Sequence, residues 1–114
     1  MGSEMCIRDS QLLVGSQEGT AHLPLAVLDP GDAALHLDPC YPSHTGGLHL
    51  AGARTKALAL SPENDWRPDL TTISSQLWDQ LKFFVLGYPH NPSARVGVRR
   101  ISIASRRSLL GMTW

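Results

Sequence analysis

The sequence predicts an α/β fold in which a mostly parallel sheet is linked by crossover helices. Three observations carry that expectation. Residues 82–88, Lys-Phe-Phe-Val-Leu-Gly-Tyr, form a continuous apolar and aromatic run of the kind that parallel sheets bury on both faces. Two shorter apolar runs, 33–37 and 56–60, have strand length and lie between segments that read as helices. Helices alternating with short buried strands are the pattern of crossover units.

The elements follow in order. Gly15-Ser16-Gln17-Glu18-Gly19 opens an apolar run at 20–28 that reads as a short helix. Pro24 is tolerable in the first turns of such a helix and would be costly later. Asp29-Pro30-Gly31-Asp32 is a turn signal, because Pro and Gly pre-set the backbone angles of a reversal. The strand at 33–37 is ended by Asp38-Pro39. Residues 43–52 are expected to form a second helix, capped by Ser43 and weakened by Gly46 and Gly47. The strand at 56–60 leads to a Pro-rich polar loop at 61–68. Residues 69–73 then introduce a helix at 74–80, and the strand at 82–88 closes the series. No internal repeat or low-complexity segment interrupts it.

Composition narrows the classes. With 114 residues the chain has room for one core, since domains usually run to roughly 100–200 residues. No window approaches the ~20 apolar residues of a membrane helix, and no signal peptide is visible, so a soluble cytoplasmic chain is expected. Cys6 and Cys40 form neither a CxxC pair nor a metal-ligand pattern, which argues against a disulfide scaffold and structural zinc. His22, His36, His44, His49 and His90 show no ligand spacing with acids or cysteines, so no metal is expected. Ser43 and His44 are adjacent and cannot present a nucleophile to its base in the usual way. Lys56 and Lys82 flank apolar strands.

Charge is unevenly distributed. Residues 11–94 carry four basic groups against eight acidic ones, while residues 95–114 carry five arginines and no acid. A basic tail of this sort suggests nucleic acid or an anionic surface. The ends of the chain offer another origin. Ser3-Glu4-Met5-Cys6-Ile7-Arg8-Asp9-Ser10 resembles a translation of the transposon end used in sequencing libraries, TCA GAG ATG TGT ATA AGA GAC AG. Residues 1–10 are accordingly read as adapter-derived rather than native and set aside from the fold.

Three segments carry chemistry. A helix start built from Gly15, Ser16, Gln17 and Glu18 can turn several backbone N–H groups and the positive end of the helix dipole toward an anion. An ordinary Ser-capped helix start accounts for the same residues. Tyr41, in Asp38-Pro39-Cys40-Tyr41-Pro42, can lie over an aromatic cofactor's face with its hydroxyl on the polar side, or simply pack in a loop. Asn91, in Tyr88-Pro89-His90-Asn91-Pro92, can present its amide at the end of a buried strand, although Asn-Pro is also a common turn pair.

In this order and spacing the three segments resemble the class I/II aminotransferases, pyridoxal 5'-phosphate (PLP) enzymes of fold type I. The resemblance covers residues 11–94, including Leu28-Asp29-Pro30-Gly31-Asp32 and Trp66-Arg67-Pro68-Asp69-Leu70. It leans toward the LL-diaminopimelate and aspartate aminotransferase-like branch through Gly-Ser-Gln-Glu-Gly-Thr-Ala-His-Leu and Asp-Pro-Cys-Tyr-Pro-Ser-His. It implies that residues 11–94 are part of the large PLP-binding domain, that the amides of Ser16, Gln17 and Glu18 bind the cofactor phosphate, that Tyr41 covers its ring, and that Asn91 meets its ring hydroxyl. It also implies amino-acid and 2-oxo-acid substrates, a homodimeric full-length enzyme, and no nucleic-acid or membrane partner.

Neither Lys56 nor Lys82 lies in a segment resembling the family's Schiff-base motif, so no catalytic residue is assigned and the chain is expected to be an inactive N-terminal fragment. The tail fits this picture. Reading each codon after Ser93 from its third base permits Asp-Phe-Asp-Arg, Ala-Ala-Phe and Arg-His-Asp-Leu, which resembles the family's helix after its Asn-Pro motif. Residues 95–114 are therefore read as frameshifted and as disordered or irregular. Two alternatives remain open: another fold-type-I PLP protein, either a lyase or a PLP-binding regulator, and a non-enzymatic chain whose arginine tail binds nucleic acid.

Overall fold

Leu35 and Leu37 point to one face of the first strand and Ala34 to the other, and all three are buried. A strand buried on both faces needs a layer on each side, and the computed structural model, which describes residues 12–96 and 110–112, provides both. The elements are α1 (Ser16–Val27), β1 (Ala33–Asp38), α2 (Pro42–Leu50), β2 (Arg54–Ala59), α3 (Ser75–Gln80), β3 (Leu81–Val85) and β4 (Leu110–Met112). The sheet has the order β2-β1-β3-β4 and every pair in it is parallel. The expected α/β class with crossover helices is thus present.

On one face Phe83 and Val85 of β3 and Ala34 of β1 pack with Leu28, Leu48 and Ala51 from the ends of α1 and α2. On the other, Leu35, Leu37, Leu58, Phe84 and Leu81 pack with Ile73 and Tyr88 and against the half-buried Trp66 and Trp78. Leu81 and Phe84 share a face although three residues apart. A register irregularity opposite Ala33 and Ala34 skips Lys82, which stays exposed and breaks the simple alternation.

Several boundaries differ from the sequence expectation, β2 for example running Arg54–Ala59 instead of 56–60, and three of them bear on packing or the site. Helix α1 begins at Ser16, so Pro24 is buried in its third turn rather than its first. The missing Pro24 N–H leaves the Thr20 carbonyl without its helical donor. Packing of α1 on α2 outweighs that loss, and the Leu28 N–H closes the helix on the Pro24 carbonyl at 2.9 Å. Helix α2 begins at Pro42 with Tyr41 as its N-cap and no side-chain cap, so Ser43 is not the cap. Pro42 needs no N–H donor partner at that position and its fixed φ suits a helix start. Strand β3 ends at Val85, and residues 86–88 already turn toward the loop.

The tail also differs in part. Leu110–Met112 is a strand pairing in parallel with β3 at Phe83, Phe84 and Val85 rather than irregular chain. The open edge of β3 presents unpaired N–H and C=O groups, which an extended backbone can satisfy whatever its sequence. Residues 1–10, read as adapter-derived, and residues 97–109 and 113–114 of the tail lie outside the described residues.

Candidate functional site

The sheet topology fixes where a site belongs. From β1 the chain moves to β2 on one side, while β3 lies on the other, so the order reverses between β1 and β3. In open parallel sheets the crevice beyond the carboxyl ends of strands at such a reversal is the favoured binding place. Beyond β1 lies Asp38-Pro39-Cys40-Tyr41, and beyond β3 lies Gly87-Tyr88-Pro89-His90-Asn91.

Helix α1 supplies the first wall. Gly15 has φ 82°, a backbone state that favours glycine, and offers no side-chain cap. The first-turn N–H groups of α1 have no intrahelical partner. Ser16 and Gln17 line a cavity of about 300 Å³ together with Thr20, Tyr41, Ser43 and His44. Residues 41, 43 and 44 are the N-cap and first turn of α2. The N-terminal ends of α1 and α2 therefore both border one space, which sets the positive ends of two helix dipoles beside it. The Glu18 carboxylate does not join them. It accepts from the Val14 N–H and lies 4.0 Å from His22, and Glu18 is not among the residues that line the cavity.

A second cavity of about 250 Å³ adjoins the first, because Tyr41 and His44 line both. Its other walls include Cys40, Gly87, His90 and Asn91. Tyr41 meets His44 edge to face, with ring centroids 6.0 Å apart and planes at 71°. A Cβ at Gly87 would lie 2.6 Å from His44 Cε1, so a side chain there would push the His44 ring aside. Lys56 and Lys82 are exposed and line neither cavity. Among the described residues no cluster of His, Cys, Asp or Glu could hold a metal ion.

Burial shapes the titrating groups here. It lowers the His44 pKa from its usual 6.5, with repulsion from His90 adding to the effect. It raises the Cys40 thiol, helped by the Asp38 charge, and raises the Tyr88 phenol against the opposing pull of Arg67. In each case the folded state prefers the neutral form. For His44 the unfolded chain binds the proton first, so stability should fall as pH drops below about 6.5. For Cys40 the unfolded chain loses the proton first, so stability should fall again as pH rises above about 9.0. Urea midpoints measured from pH 5 to 10 should form a plateau between these limits. His44→Gln should flatten the acid side, and an unaltered acid limb would contradict this assignment.

The structure brings Ser16 and Gln17 together with Tyr41, and Tyr41 together with Asn91. His44, Thr20, Ser43 and Gly87 are lining residues the sequence reading missed. His44 had a signal available: it stands three residues after Tyr41 at a helix start, a spacing that places both on one face.

Comparison with known proteins gives this geometry a context. Residues 7–97 match the family described as Aminotransferase class I and II. The LL-diaminopimelate aminotransferase of Maridesulfovibrio salexigens is 43% identical over 82 residues, which is 72% of this chain and 21% of that protein. The chain thus spans about a fifth of the length of the curated relatives it matches. Among solved structures, a probable N-succinyldiaminopimelate aminotransferase from Thermus thermophilus superposes with a TM-score of 0.69 at 38% identity, over 75% of this chain and 23% of that one. An aspartate aminotransferase from Thermotoga maritima reaches a TM-score of 0.76 over 87% of this chain and 28% of that one, and at 22% identity it speaks for the fold alone.

Proposed function

Because the chain belongs to the class I and II aminotransferases, whose members depend on PLP, we propose that its two adjoining cavities hold that cofactor in an enzyme that moves an amino group between an amino acid and a 2-oxo acid. The observation that carries the reading is the sharing of Tyr41 and His44 by both cavities. An elongated ligand with an anionic end and an aromatic end would then contact all three predicted segments.

The amides of Ser16, Gln17 and Glu18 bind the phosphate, aided by the start of α2. The Tyr41 ring lies along the pyridine face. The Asn91 amide donates to the ring oxygen, an acceptor. When bound, PLP supplies the electron sink that labilises bonds at the amino acid's α-carbon. The residues of this chain bind and orient; the groups that grip a substrate are not among those assigned here. The name of the LL-diaminopimelate relatives makes diaminopimelate the amino acid to test first on the intact enzyme. The proposal extends to a homodimeric full-length protein in the cytoplasm with neither nucleic-acid nor membrane partner. Among the described residues no helix is long and apolar enough to cross a membrane.

Pyridoxine 5'-phosphate is the appropriate probe, because it lacks the aldehyde that would react with Lys56 and Lys82. It should bind the chain more tightly than pyridoxine does. Asn91→Ala should weaken it about tenfold, the effect of losing one hydrogen bond to a charged oxygen. Calorimetric titration checks both outcomes; equal affinity for the two probes would remove the phosphate cradle from the reading.

A further inference from the structure

We propose that His90 is a positioning residue that ties the loop carrying Tyr41 to the loop carrying Asn91 and so sets the width of the cofactor cavity. The proposal rests on the cofactor reading above. His90 is 2% exposed and its ring bridges segments 51 positions apart in sequence. Its Nε2 lies 2.8 Å from the Pro39 carbonyl oxygen and its Nδ1 2.6 Å from Ser93 Oγ. A carbonyl can only accept, so Nε2 carries the hydrogen. In a neutral imidazole Nδ1 is then an acceptor, and the Ser93 hydroxyl donates to it.

The ring is fixed on its faces as well. It stacks on Trp66 with centroids 6.1 Å apart and planes at 29°, and Tyr88 lies tilted at 5.8 Å. Trp66 is held in turn, because the Tyr88 hydroxyl donates to its carbonyl at 2.9 Å. The His90 backbone is also satisfied, donating to the Arg95 carbonyl at 2.8 Å and accepting from the Ala94 N–H at 2.6 Å.

The position of this link gives it its consequence. The β1–β3 ladder ends at the pair His36 and Val85, before either loop begins. Beyond it, the contact from His90 to Pro39 joins the loops, two residues before Tyr41 and one before Asn91. A carbonyl that loses its buried donor must find water or another partner, and the Pro39 loop shifts to reach one.

The test uses the whole chain. His90→Phe keeps an aromatic ring for the stack on Trp66, at somewhat larger volume, and removes both ring nitrogens. It should weaken pyridoxine 5'-phosphate about tenfold while inorganic phosphate, held at the α1 start, stays within about twofold. On an Asn91→Ala background the same change should cost little, since the contact it positions is already gone. Wild-type affinity in His90→Phe, or an equal loss on both backgrounds, would overturn the proposal and leave the cofactor site standing. Where His90→Phe does not fold, Ser93→Ala should weaken the probe about threefold, and an unchanged affinity counts against the clamp. Long-range 1H–15N spectra provide a readout independent of binding: the Nε2–H tautomer supports the clamp, and the Nδ1–H tautomer overturns it. If the wild-type chain binds neither probe, the cofactor reading fails and the tautomer alone decides the clamp.

Discussion

Phe83→Ala is expected to cost about 3–5 kcal/mol, the usual range when a fully buried phenylalanine is truncated and its cavity only partly collapses. Phe83 is 2% exposed and sits on β3 beneath Leu48 of α2, with Leu28, Ala51 and Val85 around it. These side chains are all apolar, so the vacated space stays dry and water does not relieve the penalty. At roughly 0.05–0.15 kcal/mol per residue, a chain of 114 residues has about 6–17 kcal/mol of stability, so that loss is a large share of it. Urea unfolding followed by circular dichroism should therefore show a clearly lowered midpoint for Phe83→Ala. The adjacent Lys82, exposed at the register irregularity, should tolerate alanine within about 0.5 kcal/mol. A cost below about 1 kcal/mol for Phe83→Ala would mean that the helical layer does not cover this face of the sheet.

Gly47→Ala is the second large effect, and its neighbour Gly46 provides the control. A Cβ at position 47 would lie 2.5 Å from the Ala21 carbonyl oxygen and 3.1 Å from the Ala21 carbonyl carbon and Cα. These are backbone atoms of α1 and cannot swing aside, so the helices must separate. Overpacking of this sort costs about 1–3 kcal/mol, and the upper end applies against a backbone. The helix-propensity gain of alanine returns only about 1 kcal/mol, leaving a net loss near ~2 kcal/mol. A Cβ at Gly46 meets nothing within 4 Å, so Gly46→Ala should stabilise by about 0.5–1 kcal/mol. Thermal unfolding of the two variants should shift in opposite directions. Gly47→Ala should also weaken phosphate binding, because separating α1 from α2 moves Ser16 and Gln17 away from Ser43 and His44. Equal shifts for the two glycines would place the helix contact elsewhere.

Much of this organisation was legible along the chain. The apolar runs at 33–37, 56–60 and 82–88 overlap β1, β2 and β3 because short buried strands concentrate apolar side chains in short stretches of chain. Boundaries were less legible wherever packing overrode local preference. Pro24 sits deep in α1 since burial against α2 offsets the lost backbone bond, and Ser43 is not a cap since Pro42 already starts the helix. Of the site residues, Ser16, Gln17, Tyr41 and Asn91 line the two adjoining cavities, while Glu18 lines neither and its side chain turns back to its own loop. His44 was passed over although its spacing from Tyr41 was available, and His90 because its bond to Pro39 spans 51 positions of the chain.

Local chemistry along the chain was enough to specify the α/β class, the alternation of elements and the three segments that meet at the site. These depend on periodicity and turn residues, which are properties of neighbours in the chain. Folding in three dimensions settled the rest: two helix starts share one cavity, Gly47 and not Gly46 is a contact, and His90 spans from Asn91's loop to Pro39. Each of those is a distance between residues far apart in sequence. Such distances are set by how the parallel sheet and its crossovers close in space, and no local pattern encodes them.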